Sequence, residues 1–381
     1  MDALAFRRYS VVLAALAVIP FVIIVATASW LLPLRNDSPL TDLVRLGDYS
    51  LNRYVSAKPH LSFEPPLFEV DRYDRYADIV VLGDSFSYDK HRSWVNYLAA
   101  RGWSVVVLRL SGKWSIERLL DQPIFHDTPP KLVIYESIEN VMKERFGQPE
   151  HACSNSGNTE LPPRIDLHHG SPPEFKLVPF LQPQVRSLDA QQIAYARDFL
   201  VDNAFVLMYP AHRKVCDFTL TVPRFTNAAP RKMLVIRYET AKGSWTHADL
   251  ATMRCALAGY ADAVQANGRT AFMALLVPDK LSAYHQDLVD QTAAATVIPQ
   301  LVGAVPIMPR LDLALRKAIE AGELDVYMPS DTHWGAAGHR IAAEVVLDAI
   351  DALACRSDAG APAPGSPSAD VMNGGGRSTC R

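Results

Sequence analysis

"VVLGDSFSYDK", Val80 to Lys90, decides how this chain is read. Its first half is a short apolar, β-branched run, the pattern of a strand buried on both faces. Gly83 then permits a tight turn, and Ser85 stands in that turn. A serine there is either a nucleophile or a polar residue in an ordinary strand-to-helix connection.

The same rhythm continues on either side. "WSVVVLRLSG" and "PKLVIYES" read as a second and third buried strand, and "RTAFMALLVPDK" as a later one. Helical spacing appears in "SWVNYLAARG", closed by Gly102, and in "SIERLLDQPIF". It returns in "THADLATMRCALAGYADAVQANG", closed by Gly268, in "LDLALRKAIEAG", and in "AAGHRIAAEVVLDAIDALACR". Apolar strands alternating with helices predict an α/β fold whose parallel sheet is covered on both faces. Functional loops then lie at the carboxyl ends of the strands, where Ser85 sits.

The pattern predicts a domain over residues 78–356, interrupted by an irregular, Pro- and His-bearing insertion at about 141–240. Short strands are expected inside the insertion at "AFVLMYP" and "KMLVIRY". Residues 35–77 read as a linker or cap, and the Gly-, Pro- and Ser-rich 357–381 as a disordered tail.

The N-terminus carries Arg7 and Arg8 and then no charge until Arg35. Spanning a bilayer takes roughly 20 apolar residues. Residues 9–34 therefore read as a transmembrane anchor, with 1–8 cytoplasmic by the positive-inside rule. A cleavable signal peptide is the alternative, since Ala26–Ala28 resembles a small-residue cleavage site. Either way the rest of the chain is exported. The anchor reading gives a single-pass inner-membrane protein with a periplasmic domain.

Composition narrows the rest. The 381 residues are 49% hydrophobic and 21% charged, with a formal net charge of −3, so a large core is available and no basic field exists to hold nucleic acid. Five cysteines with no C-x-x-C pair suit an oxidising compartment. Cys153–Cys216 and Cys255–Cys355 are the expected bridges, with one cysteine left over; five unpaired thiols are the alternative. No metal site is expected. His168 and His169 are adjacent, and adjacency alone does not build one.

A second stretch, "YMPSDTHWGAAGH", Tyr327 to His339, follows a short strand and precedes the last helix. Side chains at i and i+2 of an extended segment point the same way, so Asp331 can orient His333. A serine nucleophile needs such a base, and the base needs such a partner. The structural alternatives are a capping histidine and, for Asp331, a helix N-cap.

"GDSFS", "LLVPDKLSAY" and "DTHWGAAGH" together resemble the SGNH (GDSL-type) hydrolase superfamily. Within it they resemble the SGNH-like domain of the alginate O-acetyltransferase proteins AlgJ and AlgX. The resemblance spans about residues 78–355, without most of the insertion. It implies a flavodoxin-like three-layer fold and an exported serine O-acetyltransferase acting on an exopolysaccharide or cell-envelope glycan. It implies Ser85 as nucleophile, His333 as base and Asp331 as its orienter. Ser85 N–H and Gly112 would serve as oxyanion donors; the Gly-x-Asn usual after the third strand is replaced by "YESIENVMKERF", in which Asn140 is the candidate donor at a looser spacing. No cofactor is implied. The acyl donor would come through a membrane-embedded partner. The order of motifs departs from AlgJ and AlgX, in which the Asp-x-His motif comes first. A carbohydrate esterase and a non-catalytic polysaccharide-binding scaffold are the competing functions. Lys280, Tyr284 and Trp334 are candidates for touching a sugar, with closing or wedging of the loop as their structural alternative. Glu136 and Glu139 divide in the same way, and His339 reads as an exposed or capping group.

Overall fold

In the computed structural model, the four apolar runs line up in one parallel sheet. The structure describes residues 3–30, 60–110, 113–147, 169–180, 188, 190–209, 215–292 and 295–359. In chain order the strands are β1 (Leu61–Glu64), β2 (Glu69–Val70), β3 (Ile79–Gly83), β4 (Val105–Arg109), β5 (Leu132–Ile138), β6 (Lys176–Pro179), β7 (Val215–Thr219), β8 (Lys232–Ile236) and β9 (Ala271–Val277). The helices used below are α1 (Ala3–Trp30), α2 (Val95–Ala99), α3 (Met142–Phe146), α4 (Ala190–Met208), α5 (His247–Gln265), α6 (Lys280–Ala283), α7 (Leu311–Glu320) and α8 (Ala336–Ala359).

The main sheet has the order β2-β4-β3-β5-β9, and every neighbouring pair is parallel. Every residue of β3, β5 and β9 is buried. The period of two sorts their side chains into two cores. Ile79 and Val81 of β3, with Ile134 and Met273, pack under α2, α7 and α8. Val80 and Leu82, with Val133 and Phe272, pack under α5 and its neighbours. Each such side chain contributes about 1.5–3 kcal/mol on burial. The expected three-layer α/β architecture is therefore present, with β3 at its centre and the Ser85 turn at β3's carboxyl end.

Several local expectations change. β2 joins the sheet beside β4, so the sheet begins before residue 78. β1 pairs antiparallel with β6 of the insertion. "AFVLMYP" is no strand: Ala204–Met208 closes α4. "KMLVI" is a strand, but it pairs antiparallel with β7 in a separate ribbon. "LDVYMPSDTHW" forms only an isolated bridge between Tyr327 and Trp334. α8 continues to Ala359, past the expected start of the tail, and residues 360–381 lie outside the described residues.

α1 is one apolar helix near the N-terminus. Its stretch Phe6–Trp30 has a mean hydropathy of 2.9 and is long and apolar enough to cross a membrane. A helix of this kind at this position is either a signal sequence or an anchor. Cys255, on α5, is disulfide-bonded. The side chain of Cys355 lies outside the described residues. Cys153 lies outside the described residues.

Candidate active site

Ser85 is half-buried in a turn that starts where β3 ends. Its neighbours' polar groups are spoken for. The Asp84 N–H donates to Glu136 Oε2 at 2.9 Å, the Phe86 N–H to Asp84 Oδ1 at 3.1 Å, and the Ser87 N–H to the Asp84 carbonyl at 3.0 Å. The Ser87 hydroxyl donates to Glu136 Oε2 at 2.8 Å and accepts from Trp94 Nε1 at 3.1 Å. Among the described residues, no group accepts a hydrogen bond from the Ser85 N–H. Asp84 Oδ2 fastens the turn sideways to β5 and α3, accepting from the Ile138 N–H and from Arg145 Nη1, both at 2.9 Å.

β3 ends in glycine for a steric reason. A Cβ on Gly83 would lie 2.6 Å from the Ser87 side chain and 2.9 Å from Glu136 Oε2. The turn is thus closed from below by a residue of the neighbouring strand.

The second motif folds back on itself. Met328 N–H donates to the His333 carbonyl at 3.0 Å, beside the Tyr327–Trp334 bridge. Asp331 Oδ1 accepts from the His333 N–H at 2.9 Å and lies 2.5 Å from His333 Nδ1. With Nδ1 on the carboxylate, Nε2 is the nitrogen that can act as a base. Asp331 is fully buried. Burial alone would raise its carboxyl. The charge of His333 and its two hydrogen bonds, with Lys280 further off, outweigh that and hold it below the usual carboxylate range.

Phe86 joins the two motifs. Its ring centroid lies 4.9 Å from that of His333 and 4.7 Å from that of Trp334. The residue following Ser85 is therefore in ring contact with His333.

The three candidate sugar contacts are elsewhere. Lys280, Tyr284 and Trp334 are each at most 1% exposed. Lys280 Nζ donates to the carbonyls of Asp331 at 2.8 Å and Met328 at 3.0 Å, and so props the loop from beneath. Burial pushes its ammonium down to about 8. The Tyr284 hydroxyl accepts from the Tyr327 N–H at 3.3 Å. Trp334 packs edge-on to Phe86 and Tyr327. All three build the loop, and none reaches a surface where a sugar could lie.

Glu139 is also internal. It accepts from the Val297 N–H at 2.6 Å, from the Thr296 hydroxyl at 2.8 Å and from the Ser282 hydroxyl at 2.5 Å. Asp279 nearby receives both hydrogen bonds of the fully buried Lys242, at 2.7 and 2.6 Å. His339 is buried rather than exposed and accepts from the Trp94 N–H at 3.3 Å. Asn140 is half-buried in the single turn of 3₁₀-helix that follows β5, at the same sheet edge. Gly112 and His168 lie outside the described residues. Sequence reasoning missed Asp84, Arg145, Lys242 and Asp279. Asp84 and Asp279 carried a local signal, as the middle residues of "GDS" and "PDK".

Residues 236–364 match the family of the SGNH hydrolase-like domain, acetyltransferase AlgX. Comparison with curated proteins and with solved structures gave no match. The AlgX-like stretch holds α5, β9, Lys280, Asp331, His333 and α8. The Ser85 turn precedes it in the chain and meets its histidine loop through Phe86. An AlgX-like SGNH acetyltransferase domain is that of an enzyme, and it points to O-acetylation of a polysaccharide.

Proposed function

We propose that this protein is an exported serine O-acetyltransferase that acts through an acetyl-Ser85 ester on an exopolysaccharide or cell-envelope glycan. Ser85 Oγ attacks the donor's acyl carbonyl while His333 Nε2 takes its proton. The leaving group departs with that proton, and the acetyl group stays on Ser85 Oγ. A sugar hydroxyl then attacks the ester and gives its proton to His333. Ser85 Oγ leaves, recovers that proton, and the O-acetyl sugar is released. Asp331 holds the imidazole tautomer throughout. The Ser85 N–H receives the charge of each tetrahedral intermediate, with Gly112 and Asn140 as the further donors. One such donor typically accounts for about 3–4 kcal/mol of barrier.

The observation that carries this reading is the Phe86–His333 ring contact, which brings the serine turn beside a histidine already paired with aspartate. The AlgX match supports acetyl transfer and favours a polysaccharide acceptor. The apolar α1 would hold the domain outside the cytoplasm, beside a membrane-embedded source of acyl groups.

The test is turnover of p-nitrophenyl acetate by the full-length protein and by Ser85→Ala, followed by mass analysis of oligosaccharides added as acceptors. Acetylated oligosaccharide from the wild type alone is the expected result. Acetate release with no acetylated sugar would make the protein an esterase. Equal turnover by both proteins would remove the catalytic serine.

A further inference from the structure

We propose that Glu136 is the positioning residue of the Ser85 turn, a buried neutral carboxylic acid that takes up the turn's competing donors and leaves the Ser85 N–H for the reacting carbonyl. This rests on Ser85 being the nucleophile. Glu136 sits on β5, wholly buried, directly beneath the turn. One of its oxygens, Oε2, accepts from residues on both sides of Ser85: the Asp84 N–H and the Ser87 hydroxyl. The turn thus hangs from the sheet at two points that flank the serine. Gly83 is part of the same unit, because a Cβ there would press on Ser87 and on that oxygen.

The charge count says which form Glu136 takes. Two carboxyl groups, Asp84 and Glu136, share one cation, Arg145. Arg145 donates to Asp84 Oδ2 and to the Ser137 hydroxyl. Asp84 also accepts two backbone N–H bonds. It is the better hydrogen-bonded carboxyl of the two. Glu136 Oε1 is buried and has no hydrogen-bond partner among the described residues. A full charge there would be half-solvated by nothing, which is the arrangement a buried carboxyl escapes by keeping its proton. Burial first, and the Asp84 carboxylate second, push Glu136 well above the usual carboxyl range.

A merely space-filling residue and a positioning one differ in what their loss does to rate. Full-length Glu136→Leu keeps the volume and removes the acceptor. It should lower kcat on p-nitrophenyl acetate about tenfold to a hundredfold while KM stays within about twofold, as for a misplaced reacting group. Glu136→Gln keeps a neutral acceptor of the same shape and should recover most of the lost kcat. The infrared carbonyl band of protonated carboxylic acids should lose one group's intensity at neutral pH in Glu136→Gln, the other raised carboxyls, Glu139 and Glu239, accounting for what remains. If Glu136→Leu fails to fold, Glu136→Gln and the infrared band decide. Wild-type kcat in Glu136→Leu, or a band of unchanged intensity in Glu136→Gln, overturns the proposal. Undiminished turnover in Ser85→Ala would instead remove the reading of Ser85 on which it rests.

Discussion

The ring of Phe86 rests against the ring of His333, centroid to centroid 4.9 Å, although the two residues come from opposite ends of the folded region. Phe86 is 1% exposed and also packs on Trp334 and Tyr327. It fixes where the serine turn and the histidine loop sit relative to each other. Phe86→Ala should destabilise the protein by about 3–5 kcal/mol, the usual cost of removing a buried phenyl ring. Phe86→Leu should cost less and retain part of the activity. Denaturant unfolding and p-nitrophenyl acetate turnover check both. Full activity in Phe86→Ala would show that the two motifs are held together by something else.

Asp331 orients rather than reacts. Its carboxylate takes both the N–H and the Nδ1 of His333. Asp331→Asn keeps the shape and presents an amide, which favours the wrong imidazole tautomer. A loss of about 10⁴-fold in kcat is expected by analogy with orienting aspartates in serine triads. KM should change little. A loss below tenfold would mean that His333 is not the base.

Lys280 is the prop beneath that loop. Lys280→Met fills the space and leaves the carbonyls of Met328 and Asp331 without their donor. Each buried polar group left unsatisfied costs about 1–3 kcal/mol. Stability should fall by several kcal/mol, and activity should fall with it as the Asp331–His333 pair loses its frame. Lys280→Arg should not rescue it, since the larger guanidinium has no room at a site with no exposed surface. Thermal melts and turnover of the two variants decide. An active, stable Lys280→Met would mean that the loop holds its own shape.

What could be read from the sequence follows burial physics. β3, β5 and β9 announce themselves because a strand covered on both faces has to be apolar throughout. Ser85, Asp331 and His333 stand out because their chemistry needs those residue types beside turns. β2 is two residues long and carries no periodicity to detect. Ala204–Met208 looks like a strand because a short apolar run fits either period. Lys280 and Glu136 are the harder cases. A charged residue in a sequence is expected at the surface, and only its partners in space reveal that it is a buried prop. Lys280 was visible as part of a motif, but its role depended on which side of the loop it entered.

Buried carboxyls also set how stability varies with pH. Glu239 is fully buried and is pushed up to about 8, by burial first and by the Asp279 carboxylate second. Among the described residues it accepts one hydrogen bond, from the Leu281 N–H at 3.0 Å to Oε2. The folded protein therefore keeps a proton that the unfolded chain releases near its ordinary value of 4.5. The stability linked to that proton is complete below the lower value and is lost as pH rises through the higher one. One linked proton changes stability by at most about 1.4 kcal/mol per pH unit. Lys280 does not interfere, because its lowered ammonium titrates from about 8 towards its ordinary 10.5. Glu136 and Glu139 are raised as well, so removing Glu239 flattens the slope only in part. His60 and His339, both lowered by burial from an ordinary 6.5, add stability as pH rises towards that value and so oppose the carboxyls below it. Urea midpoints of the wild type should therefore fall between about pH 6.5 and about pH 8. The fall should be shallower in Glu239→Gln, and an unchanged slope would show that Glu239 is already ionised in the folded protein.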